Sequence, residues 1–308
     1  MSVTLNQTIF LLLLITIGYI LVKLGLLQEN TEKILSKLEN YVFIPALVLG
    51  TFIDNFTLQK LMGAKDILLV SFIIELVVIP ISFLLVRVCT KDEYIRRIFL
   101  YGLCFSNFGF MGNAIVSNLF PDIFLEYLLF TIVLWIAIYI WGVPVLLMDN
   151  HFKNTTIKQK LKPFVNPMII AMLIGMLIGL TEIKVPSFAN NLLTSLGDCM
   201  SPLAMLLTGM TIARKRFFDI IKIKSIYLVT IIRLIIYPLV FIGITKIINV
   251  PETIMLCGLC SLAMPLGLNT IVIPAAYDND TTVASGMALV SHVLSCITIP
   301  IMFFLLKL

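Results

Sequence analysis

FLYGLCFSNFGFMGNAIVSNLF, residues Phe99 to Phe120, is long enough to cross a bilayer, yet its centre carries Ser106, Asn107, Gly109, Gly112 and Asn113. About 20 apolar residues span roughly 30 Å of hydrocarbon. Each peptide group unwound in lipid is costly, so broken backbone at that depth survives only where it packs in protein or lines a watery cavity. The stretch therefore reads as a substrate site inside a membrane.

A second copy lies downstream. Leu100, Gly102, Leu103, Cys104, Asn113, Ile115 and Val116 recur as Leu256, Gly258, Leu259, Cys260, Asn269, Ile271 and Val272, all at a spacing of 156. Between them the first copy has SNFGFMG and the second LAMPLGL, which includes Met264 and Pro265. Gly109 thus falls opposite Pro265, two residues that both interrupt a helix. Paired interruptions in corresponding positions of two halves point to a transporter's binding site.

The match extends along the chain. Ile17-Gly18 corresponds to Ile174-Gly175, Pro45 to Pro202, Pro80 and Phe83 to Pro238 and Phe241, and Pro144 to Pro300, with spacings of 156 to 158. Ten apolar spans can be drawn, roughly 8–27, 34–53, 66–89, 98–119, 123–148, 163–181, 190–212, 225–248, 252–275 and 282–306. Five spans per half is an odd number, so the second half enters the membrane from the opposite side. The expected fold is all-α and integral to the membrane, with inverted repeats over residues 1–148 and 163–308 joined by a linker at 149–162.

Composition agrees: the 308 residues are 60% hydrophobic and 13% charged, which no soluble domain of this size needs. The N-terminal apolar run lacks a leading Lys or Arg and a small-residue cleavage site, so it is expected to remain as the first helix. The six cysteines lie in or beside apolar segments, and the Cys257-x-x-Cys260 pair reads as buried small hydrophobes. The basic residues occupy short loops, which argues against nucleic acid as a partner. Setting aside Arg233 within a span, five of the 22 Lys and Arg residues fall on the side of the N-terminus and sixteen on the other. Both termini are therefore expected outside the cytoplasmic membrane, and the linker, with its Asn154-Thr155-Thr156 and His151, inside. No P-loop is present, so coupling to a proton or sodium gradient is expected in place of a bound cofactor.

Charges within the spans need an explanation. Glu75 sits midway along the third span, and the local spacing of 158 places Arg233 at the equivalent position of the eighth. Two readings stay open: an anion-attracting Arg233 with a proton- or cation-handling Glu75, or a buried ion pair that locks the halves together. His292 in the tenth span could titrate near neutral pH or serve packing. Asp198 reads as a helix-start cap. Asn107, Asn113 and Asn269 are the stronger binding candidates, because they fall near the breaks, where free N–H groups favour an anion. A nucleophile with a partner His, two aspartates or a metal cluster is missing at membrane depth, so an intramembrane enzyme is the remote alternative.

NFGFMGNAIV around the first break, LGDCMSPLAMLLTGMTIA in the seventh span and LAMPLGLNTIVIPAAYDNDTTVASGMALVSHVLSCITIPI over the last two resemble bacterial members of the auxin efflux carrier family. The resemblance covers essentially the whole chain. It implies a fold similar to the bile-acid sodium symporters and related antiporters, with helices 4 and 9 crossing at unwound centres. Helices 1, 2, 6 and 7 are then a scaffold that often forms a homodimer, and helices 3–5 and 8–10 a transport domain moving as an elevator. The resemblance also implies a small organic anion as substrate, with Asn107 helping to hold a carboxylate and Pro265 at the matching break in helix 9; with the polar residues of the two breaks, the candidate binding set is Ser106, Asn107, Asn113, Met264, Pro265 and Asn269. Carriers of larger amphipathic acids and cation antiporters are the alternatives. One departure is visible: the family commonly has Gly-x-Pro where this chain has Gly112-Asn113-Ala114, so the first break is expected to be softer or shifted.

Overall fold

The computed structural model describes residues 2–28, 30–147, 167–214, 222–248 and 250–306, and among these every regular element is helical. In chain order they are α1 (Ser2–Lys23), α2 (31–55), a short helix Leu58–Gly63, α3 (Lys65–Cys89), the split α4a (Glu93–Cys104) and α4b (Asn113–Leu119), and α5 (Pro121–Leu147). There follow α6 (Pro167–Thr181), α7 (Ser187–Arg214), α8 (Lys224–Ile248), the split α9a (Glu252–Leu262) and α9b (Asn269–Ala276), and α10 (Thr282–Leu305). Helices α3, α5, α7, α8 and α10 are long and apolar enough to cross a membrane, and Leu12–Lys23, Ile170–Thr181 and Glu252–Leu262 are shorter apolar helices. The chain is a multi-pass membrane protein. The expected linker with His151 lies outside the described residues. Asp198 caps no helix start; it is exposed, at a one-residue interruption within α7.

Proline governs where these helices loosen. Three π-helical turns, Glu39–Phe43, Ile138–Gly142 and Ile232–Ile236, each end two residues before a proline, Pro45, Pro144 and Pro238. A proline cannot donate to the carbonyl four residues back and its ring crowds that carbonyl, so the ladder slips by one residue. A fourth π turn, Phe108–Gly112, ends two residues before Ala114, where the family's proline is missing. The slipped geometry persists there without its usual cause.

Two crossings hold the first two helices of each half together. Helix α1 packs along α7 so tightly that a Cβ on Gly18 would lie 2.1 Å from the Leu206 carbonyl oxygen, and one on Gly209 1.9 Å from that of Ile15. Helix α6 packs along α2 in the same way, with a Cβ on Gly175 3.0 Å from the Leu49 oxygen and one on Gly179 2.6 Å from that of Phe52. In lipid, where apolar side chains have no water to escape, such backbone-to-backbone packing is what holds helices together. On the other flank α3 packs on α5 and α4a, and α8 on α9a and α10.

Candidate functional site

The two interrupted helices meet at their interruptions. Ser106 and Leu266 form an antiparallel bridge: Asn107 N donates to the Pro265 oxygen at 2.7 Å, and Gly267 N donates to the Phe105 oxygen at 3.2 Å. Pro265 has no N–H to continue α9a, so the chain runs extended and its polar groups find partners across the gap. Ser106 Oγ donates to the Ser261 oxygen at 2.6 Å, and Leu266 N donates to Ser291 Oγ on α10 at 3.3 Å. A side chain at Gly267 would put a Cβ 2.8 Å from the Phe105 oxygen, so glycine is what lets the segments close.

The first break is not where the repeat put it. Residues 108–112 are helical, with Met111 N and Gly112 N both donating to the Asn107 oxygen, and the extended residues are Phe105 to Asn107. Gly109 and Gly112 serve packing: a Cβ on Gly109 would meet the Trp135 ring at 2.6 Å, and one on Gly112 the Tyr127 hydroxyl at 2.1 Å. The helix runs back to Asn107 through the π turn. Asn113 consequently sits inside the helix, half-buried, its Oδ1 without a partner. Met264 is fully buried in the second break, facing Gly112.

Glu75 and Arg233 are both buried, but they do not form an ion pair with each other. Arg233 is 1% exposed and spends its guanidinium on backbone: Nη1 donates to the Leu103 oxygen at 2.7 Å and to that of Cys104 at 3.5 Å, and Nη2 to the Ser261 oxygen at 3.0 Å. These are the terminal carbonyls of α4a and α9a, which the breaks leave without helical donors. One cation thus caps two helix C-termini, where the aligned peptide dipoles also favour positive charge.

Beside the bridge lies a pocket lined by Tyr101, Ser106, Asn107, Trp135, Leu268 and Asn269 among others, with space for about one ordered water. Trp135 stacks on Tyr139 with ring centroids 5.7 Å apart and meets Phe108 edge-on at 5.1 Å. His292 stands behind Asn107. Its Nδ1 is 2.7 Å from the Ala288 oxygen, a group that can only accept, so Nδ1 carries the hydrogen; Nε2 then accepts from Asn107 Nδ2 at 3.0 Å. Asn107 Oδ1 is left buried and unpartnered. Asn269 Nδ2 donates to the Tyr101 hydroxyl at 2.9 Å, and its Oδ1 is unpartnered too. No group of three or more metal-ligating side chains occurs among the described residues.

Polar side chains and open backbone gathered among apolar helices suit a protein that moves a solute, and the comparisons agree. A family model described as membrane transport protein, that of the auxin efflux carriers, matches residues 3–303. The chain belongs to the auxin efflux carrier family. It is also similar to an uncharacterised transporter of Methanocaldococcus jannaschii, 22% identical over 308 residues, covering 96% of this chain and 97% of the relative.

As a membrane transporter of this family, the chain carries one polar face that the repeat does not foreshadow. On α2, Ser36 Oγ and Asn40 Nδ2 both donate to the Val272 oxygen in α9b, the latter at 2.9 Å, and Lys33 Nζ reaches Asp278 Oδ2 just beyond α9b at 2.5 Å. Glu39 lies on the same face, fully buried, with neither carboxylate oxygen partnered. The signal was present in the sequence as SKLEN, which sets Ser, Lys, Glu and Asn inside an apolar span, and is read only once spacing by three and four is applied. Because neither oxygen of Glu39 has a partner to lose, Glu39→Gln is expected to shift the melting temperature of the purified protein by no more than about 2 °C, upward if at all. A large fall would mean that the carboxyl makes a bond essential to the fold.

Proposed function

We propose that this transporter is a secondary carrier for a small organic anion, a mono- or dicarboxylate, moved across the cytoplasmic membrane by elevator-type alternating access. The observation that carries the reading is the bridge between two interrupted helices at Ser106 and Leu266, flanked by a small pocket in which Ser106, Asn107 and Asn269 stand among aromatic and aliphatic side chains, with no carboxylate in its wall. Interrupted helices facing each other at the midplane are how carriers build a site from backbone ends. Arg233 is the buried cation behind that site, and Glu75 does not neutralise it by pairing.

In this reading ten helices form two inverted five-helix repeats, with α4 and α9 crossing. Support comes from the tight contacts: Gly18 against Leu206 and Gly175 against Leu49 exchange with each other when 157 is added to the first-half residue and subtracted from the second-half one. Helices α1, α2, α6 and α7 are the scaffold, through which two copies pair. Helices α3–α5 and α8–α10 move, and both termini face outward.

A specific observation favours a second reading. Asn107, Asn113 and Asn269 all leave an oxygen, not an N–H, without a partner, and oxygens suit a sodium ion. Thermal unfolding in detergent with acetate, malonate and succinate, with and without sodium, separates the two. A ligand at a hundred times its Kd adds about 2.7 kcal/mol. Malonate or succinate is expected to stabilise the wild-type protein and to do nothing for Asn107→Ala, which still purifies folded. A shift with sodium alone would transfer the site to cation exchange.

A further inference from the structure

Resting on the anion reading, one difficulty in the pocket resolves into a mechanism. A carboxylate needs donors, yet Asn107 turns its N–H2 away, toward His292, and offers only Oδ1. We infer that His292 is the coupling-proton site of this carrier, and that its protonation inverts the Asn107 amide so that the N–H2 group faces the substrate.

The reasoning is one of donor and acceptor balance. The Ala288 oxygen holds the hydrogen on Nδ1, 2.7 Å away, so a neutral imidazole must present a lone pair at Nε2. That lone pair requires Asn107 Nδ2 as donor at 3.0 Å and fixes the amide with its oxygen free. Add a proton and Nε2 becomes a donor too. It then faces an N–H2 group, donor against donor, and rotating the amide by half a turn restores the bond as Nε2–H to Oδ1. The same rotation releases two N–H donors. The proton comes from water with the incoming anion and leaves to water with it; no other bond is made or broken.

The neighbouring pair makes Asn107 the controlling element. Asn269 is held only by the Tyr101 hydroxyl at 2.9 Å, and a hydroxyl can donate or accept, so that amide inverts without help. Asn107 cannot, because an imidazole with a fixed Nδ1–H has no such freedom. With both amides inverted, the pocket changes from two free oxygens to two sets of donors.

The surroundings explain why proton and anion arrive together. The helices packed against α10 are α1, α4a, α7, α8 and α9b. The ionisable groups they bring to the interior are Arg233 and Tyr237 on α8 and Tyr101 and the Cys104 thiol on α4a, and their other charges, from Lys23 on α1 to Lys246 on α8, sit at helix ends. No carboxylate of the described residues pairs with His292, which is 1% exposed, so an imidazolium there has no counter-charge from the protein. A bound carboxylate supplies the missing negative charge. The imidazolium cancels one of the negative charges the anion brings, and neither member is favoured there alone.

The test uses the full chain in detergent with malonate and succinate as probes. Malonate affinity is expected to fall about tenfold per pH unit between about pH 7 and 9, the slope for uptake of one proton, and the slope should vanish in His292→Gln. Calorimetry in two buffers of different ionisation enthalpy should return one proton taken up per anion. The chain has two histidines, so a His151→Gln variant labelled with nitrogen-15 histidine reports His292 alone, without altering it. Its spectrum should be that of the Nδ1–H tautomer without ligand and of imidazolium with malonate. Binding with no proton uptake, or a neutral His292 in the complex, overturns the switch and leaves the anion reading intact. No binding of any acid at any pH overturns both, and stabilisation by sodium with no pH slope assigns the free oxygens to a metal cation.

Discussion

Arg233→Met is expected to destabilise the purified protein by about 3–5 kcal/mol, and adding Glu75→Gln should not restore it. The substitution keeps an unbranched side chain of similar reach while removing every donor. The Leu103 oxygen at the end of α4a loses its 2.7 Å bond, and the Ser261 oxygen at the end of α9a retains only Ser106 Oγ. Each buried acceptor left empty costs about 1–3 kcal/mol, and the uncapped dipoles add to it. An unfolding titration followed through Trp135 and Trp141 reads the loss. Rescue by Glu75→Gln would mean that the two charges act as a pair after all. Normal stability with loss of malonate binding would place the guanidinium in the substrate site.

Gly209→Val should be more damaging still, leaving little folded protein. The smallest side chain there already puts a Cβ 1.9 Å from the Ile15 oxygen, and the obstruction is backbone, which cannot rotate out of the way. The helices must separate over the length of the α1–α7 contact, and the packing that binds them in lipid is lost with it. Gly243 on α8 is the control: a Cβ at that position would have nothing within 4 Å, so Gly243→Ala should be neutral or stabilise by up to about 1 kcal/mol. Folded yield by size-exclusion chromatography compares the two. Equal yields would show that α1 and α7 are free to move apart.

The large-scale pattern was legible because it rests on length and repetition. Helices α3, α5, α8 and α10 appear where apolar runs predict them, and the second break falls at Pro265, a residue whose missing N–H acts the same way in any context. The first break was misplaced because glycine is ambiguous: at Gly109 it admits a tryptophan ring, and the sequence alone does not distinguish that from chain freedom. Arg233 was found by symmetry, with an ion pair to Glu75 as one of two readings left open. The offset of 158 locates Glu75 opposite it, whereas the guanidinium answers to carbonyls, which no sequence displays. The orientation of the Asn107 amide was out of reach for the same reason, since it depends on the Ala288 oxygen holding one hydrogen of His292.

The polar seam of α2 exists in only one half. Adding 157 to Ser36, Glu39 and Asn40 gives Leu193, Leu196 and Gly197, none of which can hold a carbonyl of the opposing helix. If the carrier alternates, as proposed above, between two conformations related by a pseudo-two-fold axis, this seam adds stability to the end state it closes that the other end state lacks. Net accumulation still depends only on the gradients, but the half-saturation concentrations measured from the two faces of the membrane must then differ, and a resting population will wait predominantly with one face open.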